Sequence, residues 1–188
     1  MRILVPVDGS TNSMNSLEFI AGRTTLLGSN PTIELLNVQL PLPARACRLV
    51  GQDALTRYYE DEAEKVFEPA RRVLQKVGFT ANETFVIGEP AESITKTAEK
   101  VGADLIVMGS RGLNPVKGFF LGSFTNAVLS QVKTPVLLVR KHTNVEKPAL
   151  RIGVCIDGSV YGEAAVEHIL KNHGVAGNDV RYELIHVT

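Results

Sequence analysis

Three glycines and a serine stand at a spacing that suits a chain of phosphates. Gly109 and Gly112 are three apart, nine residues follow, and Gly122-Ser123 comes next. Glycine allows positive backbone dihedrals and lets amides come close to an anion, and a helix start offers unpaired N–H groups at the positive end of its dipole. Each piece also has a plain reading: a glycine pair can merely end a strand and shape a turn, and Ser123 alone reads as a helix N-cap. Asp8, at the end of the first apolar run, could accept hydrogen bonds from a ribose or help hold a metal ion, or simply cap the turn that follows.

Other chemistry finds little support. No Walker A sequence ending in Gly-Lys-Ser or Gly-Lys-Thr occurs, and no G-x-G-x-x-G follows the first apolar run, which argues against a phosphoryl-transfer motor or a dinucleotide dehydrogenase. Glu89 is the other carboxylate near the expected site, and it reads as a favourable charge at a helix start. His142, His168, His173 and His186 all follow residue 140, and the spacing of five between His168 and His173 is poor for a metal on a helix. Twenty basic and twenty acidic side chains cancel, so no global field draws the chain to nucleic acid or an anionic membrane, and any bound anion must be held by local geometry. Cys47 and Cys155 form no ligand spacing, and Cys155, inside an apolar run, reads as a small buried hydrophobe in a reducing compartment. The run Ile3 to Val7 is too short for a secretory h-region or a membrane span, so a cytoplasmic protein is expected.

The elements that would position these residues are short Val, Ile and Leu runs separated by helical periods, the pattern of parallel strands buried on both faces. Five runs are expected as strands: 3–7, 33–38, 84–87, 105–108 and 135–139. The first helix is expected over 13–27 with Gly28 as its cap. The second leads to Gly78, with Pro69 kinking or breaking it. The third starts at Pro90, and the fourth near Ser123. Residues 39–54 read as a loop. Alternating strands and helices with right-handed crossovers predict a doubly wound α/β sheet in the order 3-2-1-4-5. In that order the first and fourth strands are neighbours whose connections leave in opposite directions, and ligands bind in the crevice at such a switch point. Asp8 and Gly109 end those two strands.

Sliding the tail back by 149 positions exposes a repeat. Arg2-Ile3-x-Val5-x-x-Asp8-Gly9-Ser10 falls on Arg151-Ile152-x-Val154-x-x-Asp157-Gly158-Ser159, and Glu34-Leu35-x-x-Val38 falls on Glu183-Leu184-x-x-Val187. The expected organisation is one full domain over 1–140, a linker over 141–150, and a strand, helix and strand of a second copy over 151–188.

Together these features resemble the universal stress protein family, ATP-binding branch, over the whole of 1–140. The pieces that match are Gly109, Gly112 and Gly122-Ser123 at the family's spacing, Ile3 to Ser10, Gly88-x-Pro90, Ala103 to Gly109, and Pro135 to Val139. The resemblance implies a Rossmann-like fold and ATP with magnesium. It places Val7 and Val38 around the base, with Asp8 and Gly109 at the ribose. Gly112, Gly122, Ser123 and Thr125 fall around the phosphates, with Arg111 at the rim, and Pro6, Met108 and Phe124 complete the nucleotide-binding set. It also implies a homodimer through the edge strand 135–139. Asn37 departs from the family, which often has His before this Val; the partial repeat keeps that pair as His186-Val187. Two roles stay open: a regulatory stress-response protein in which nucleotide stabilises a conformation or dimer, or a slow ATPase or adenylyl-transferring enzyme acting on a small molecule.

Overall fold

The computed structural model describes residues 1–23, 31–45, 47, 51–110, 122–140, 150–171 and 180–186. Its larger sheet holds five parallel strands in the order β3-β2-β1-β4-β5: β1 (Arg2–Pro6), β2 (Thr32–Gln39), β3 (Ala81–Ile87), β4 (Leu105–Gly109) and β5 (Val136–Val139). The connecting helices are α1 (Thr11–Gly22), α2 (Gln52–Gln75), α3 (Pro90–Val101) and α4 (Ser123–Gln131). The strand order is the expected one.

Alternating side chains along each strand feed two separate cores. Ile3, Val5, Ile33, Leu35, Leu105 and Val107 pack with Leu17 and Ile20 of α1 and with Phe67, Ala70 and Leu74 of α2. Leu4, Leu36, Ile106 and Met108 pack on the other face with Ala91, Ile94 and Ala98 of α3 and Val128 of α4. Each central strand is therefore buried on both sides, which explains why its sequence reads as an unbroken apolar run. Ile3, Leu4, Leu35, Leu36 and Ile106 are almost fully buried, each stabilising the fold by about 1.5–3 kcal/mol relative to exposure.

Several local expectations need correction. The helix α1 spans Thr11–Gly22, starting earlier and stopping sooner than 13–27, and Gly28 lies outside the described residues. Its start is set by Ser10, whose hydroxyl accepts from the Ser13 N–H at 3.2 Å. Pro69 does not break α2, which continues from Gln52 to Gln75. The carbonyl that loses its donor belongs to Lys65, an exposed residue where water can serve it. The start of α2 also shortens the expected 39–54 loop. The strand β3 begins at Ala81 rather than Thr84, carried by its full register with β2. Pro135 precedes β5, yet its carbonyl accepts from Ile106 N at 2.9 Å and so joins the ladder without needing a proline N–H.

Beyond residue 149, β6 (Leu150–Ile156) and β7 (Val180–His186) pair in parallel and are connected through α5 (Val160–Lys171). Most of the expected linker lies outside the described residues, and its last residue, Leu150, already belongs to β6. Cys155 is exposed rather than buried, because β6 and β7 form a two-stranded sheet among the described residues and leave strand surface uncovered. Leu184 is 66% exposed for the same reason.

Candidate functional site

The C-terminal ends of β1 and β4 lie side by side, joined through the Ile3–Leu105 and Leu4–Ile106 pairs. After β1, Asp8 forms a turn in which its Oδ1 accepts from Ser10 N at 3.0 Å, and Gly9 holds a positive φ of 74°. The Asp8 carboxylate is exposed. Its turn-capping role is thus realised while its side chain still faces solvent beside the strand ends.

Gly109 has a packing reason of its own. A β-carbon there would lie 2.8 Å from the Asn12 carbonyl oxygen and 2.9 Å from the Asn12 carbonyl carbon, so the backbone of α1 occupies the space that a side chain would need. Ser110 continues past the strand by donating its N–H to Val139 O at 3.0 Å. Arg111 and Gly112 lie outside the described residues.

The start of α4 is brought back to this point. Thr125 is fully buried and its hydroxyl donates to the Ser110 carbonyl at 3.1 Å, tying the first turn of α4 to the end of β4. The N-cap is Gly122 rather than Ser123, with φ −58° and ψ 150° and no side-chain capping bond. Ser10 and Glu89, by contrast, cap α1 and α3 through their side chains. The first amides of α4 therefore lack a side-chain acceptor from their own cap, at the positive end of the helix dipole. Ser123, the first helical residue, is exposed.

Other expected site residues point into the protein. Val7 belongs to one core and Met108 to the other, and Phe124 packs against the second. These three can offer a ligand mainly their main-chain groups, and the Thr125 hydroxyl is already committed. Pro6 and Val38 are half-buried at the ends of β1 and β2. The sequence reading missed the side chain of Asn37, which is buried and donates through Nδ2 to the Val7 carbonyl at 2.9 Å. The signal was present in the repeat: His186, its counterpart, places Nδ1 3.1 Å from the carbonyl oxygen of Ile156, the counterpart of Val7.

The second unit repeats the turn as well. Asp157 Oδ1 accepts from Ser159 N at 2.9 Å, Ser159 Oγ accepts from Gly162 N at 3.3 Å, and Gly158 has φ 78°. The Ser159 hydroxyl and backbone N–H hold the Asp157 carboxyl below its ordinary range. Arg2 pairs with Glu34 at 3.4 Å, and Arg151 with Glu183 at 2.7 Å. Among the described residues no group of three or more His, Cys, Asp or Glu side chains is arranged to hold a metal ion, and no helix is long and apolar enough to cross a membrane. An open hollow of about 400 Å3 at the start of α2 is lined by Gly51, Gln52, Asp53, Ala54 and Arg57. All five are exposed, so it is a surface dent rather than an enclosed site.

Comparison with known proteins gives the same frame. A model of the universal stress protein family matches residues 1–140. The chain is 37% identical over 90 residues to universal stress protein MJ0577 of Methanocaldococcus jannaschii, an alignment covering 48% of this chain and 56% of that protein. It is 33% identical over 139 residues to a universal stress protein of Thermus aquaticus, covering 73% of this chain and 97% of that one. Among solved structures, that of MJ0577 matches with 30% identity and a TM-score of 0.62, covering 76% of this chain and 97% of that chain. A universal stress protein in complex with cAMP matches with 27% identity and a TM-score of 0.54, covering 74% and 96%. One from Archaeoglobus fulgidus in complex with dAMP matches with 25% identity and a TM-score of 0.51, covering 73% and 96%.

Proposed function

The chain belongs to the universal stress protein family, and from that premise we propose that residues 1–140 bind an adenine nucleotide, ATP with magnesium, in the crevice where β1 and β4 end. The observation that carries this reading is the start of α4, which has no side-chain cap and is tied by Thr125 to the residue after β4. A phosphate chain lying between Gly109 and Gly122 would meet the Ser123, Phe124 and Thr125 amides and the helix dipole. Gly112 and Arg111 would complete the wrap. Similar structures that hold cAMP and dAMP support the adenine part of the reading.

The base would lie against Pro6, Val7 and Val38, near Met108, with Asp8 and Gly109 toward the ribose. The main chain of Val38 suits it. Leu36 O accepts from Val7 N on the β1 side, and Gln39 O accepts from Gly88 N on the β3 side, so alternation turns Val38's N–H and C=O toward β1, beyond the last β1–β2 pair at Pro6–Leu36. A donor and an acceptor side by side match the N1 and amino group of adenine. The role that follows is regulatory, in a stress response: nucleotide stabilises one conformation or a homodimer formed through the β5 edge, and any hydrolysis is slow.

The test is to denature the purified protein and identify the released small molecules by chromatography and mass spectrometry, alongside calorimetric titration of nucleotide-free chain. ATP, ADP or AMP in the supernatant, or micromolar binding of added ATP, is the expected result. A stripped chain that binds no adenine nucleotide at millimolar concentration overturns the reading.

A further inference from the structure

At the ends of β1 and β2 a side chain takes the place of the next backbone bond. Val7 N donates to Leu36 O at 2.8 Å, and in a regular parallel ladder the next bond would run from Val38 N to Val7 O. Among the described residues the Val7 carbonyl instead receives Asn37 Nδ2 at 2.9 Å, and no backbone bond from Val38 reaches it. The amide orientation is fixed by this contact, since the reverse would set Asn37 Oδ1 against a carbonyl oxygen.

Two further observations bear on what the contact does. Asn37 is 4% exposed and its Oδ1 has no hydrogen-bond partner among the described residues, so a leucine of similar size would avoid leaving that buried polar atom unsatisfied. The 149-residue repeat places His186 at the same point, and its Nδ1 meets the Ile156 carbonyl at 3.1 Å. A carbonyl only accepts, so that ring nitrogen carries the proton. Strand pairing runs one residue further there, to Ile156–His186, so in the repeat the side-chain donor reaches the carbonyl without ending the ladder, whereas at Asn37 it stands where the β1–β2 ladder stops. Two different residue types thus supply one donor at one place.

We propose that Asn37 is a positioning residue that sets base specificity: by occupying the Val7 carbonyl, its side-chain amide keeps Val38's N–H and C=O open as the edge that selects adenine over guanine. Guanine presents a donor at N1 and an acceptor at O6, the reverse of adenine, so that open edge rejects it. This rests on the nucleotide reading of the crevice given above.

The experiment compares Asn37→Leu and Asn37→His in the full chain. ATP and GTP affinities are measured by calorimetry, stability by thermal melting, and amide exchange at Val38 by NMR. Asn37→Leu is expected to melt at or above the parent temperature, to bind ATP at least tenfold more weakly and to lose most of its preference over GTP. Asn37→His should stay within threefold of the parent in both respects. The proposal is overturned if Asn37→Leu keeps the parent affinity and preference, or if Asn37→His falls as far as Asn37→Leu. A parent chain that binds neither nucleotide overturns the site reading instead. The clamp is then decided by exchange alone: Val38 should slow at least tenfold in Asn37→Leu, as the backbone bond closes, and unchanged exchange there defeats it.

Discussion

At position 109 a β-carbon would meet backbone, while at position 122 the dihedrals suit any residue, and this difference separates folding from binding. Gly109→Ala should cost about 1–3 kcal/mol, because Asn12 is held in the first turn of α1 and cannot yield cheaply; chemical denaturation measures it, and an unchanged midpoint would show that α1 shifts freely. Gly122→Asp should do the reverse. Aspartate is a better N-cap than glycine, so the protein should gain roughly a few tenths of a kcal/mol of stability. Its carboxylate would occupy the amides intended for phosphate and repel the ligand by about 4 kcal/mol per close charge pair. Calorimetry on this folded, stabilised variant should show no ATP binding. Retained binding would mean that the start of α4 is only a turn.

Between elements, Arg71 is the clearest polar tie. It holds α2 to β3 through two bonds to Glu83, Nε to Oε1 at 2.9 Å and Nη2 to Oε2 at 2.7 Å, and also bonds Glu64 about two turns earlier in α2. The guanidinium's hydrogen bond holds the Glu64 carboxyl below its ordinary range, and the Arg71 pKa is raised in turn, chiefly by Glu83. A depressed carboxyl contributes stability above its unfolded pKa and loses that contribution as pH falls through the folded value. Arg71→Met should therefore lower the thermal midpoint by about 2 °C at pH 7, a small effect because the pair is partly exposed. The gap between variant and parent should shrink below about pH 4, as Glu64 protonates. A gap that is constant down to pH 2 would assign the loss to packing of the Arg71 stem instead.

For the molecule as a whole, two demands follow from its two sheets. Residues 151–188 repeat the Asp-Gly-Ser turn at Asp157 but contain no counterpart of Gly109, Gly112 or Gly122, so ATP titration of the 188-residue polypeptide should saturate at one equivalent. A second site of equal affinity would contradict this. Among the described residues the apolar strand β5 stands at the edge of the larger sheet, and β7 exposes Leu184, Ile185 and Tyr182. Exposed edges and apolar faces favour pairing with a second copy. Light scattering is expected to give a dimer for the full chain, and residues 1–142 should form a weaker one. A dilute, folded monomer of the full chain would defeat the expectation.

The sequence determined the sheet order, the switch point and the repeat, because these follow from patterns local to the chain: apolar runs of strand length, helical periods between them, and right-handed crossovers that leave few topologies open. It also located Asp8, Gly109 and Gly122 at the ends of the correct elements. Only the tertiary structure decided what each residue does there. Gly109 answers to Asn12, Thr125 spends its hydroxyl on Ser110, Met108 and Phe124 belong to a core, and Asn37 clamps the Val7 carbonyl. Cys155 reads as buried in its strand, yet is exposed because nothing described covers it. Each of these outcomes depends on a partner distant in sequence, and local spacing carries no information about which backbone atom a side chain will meet.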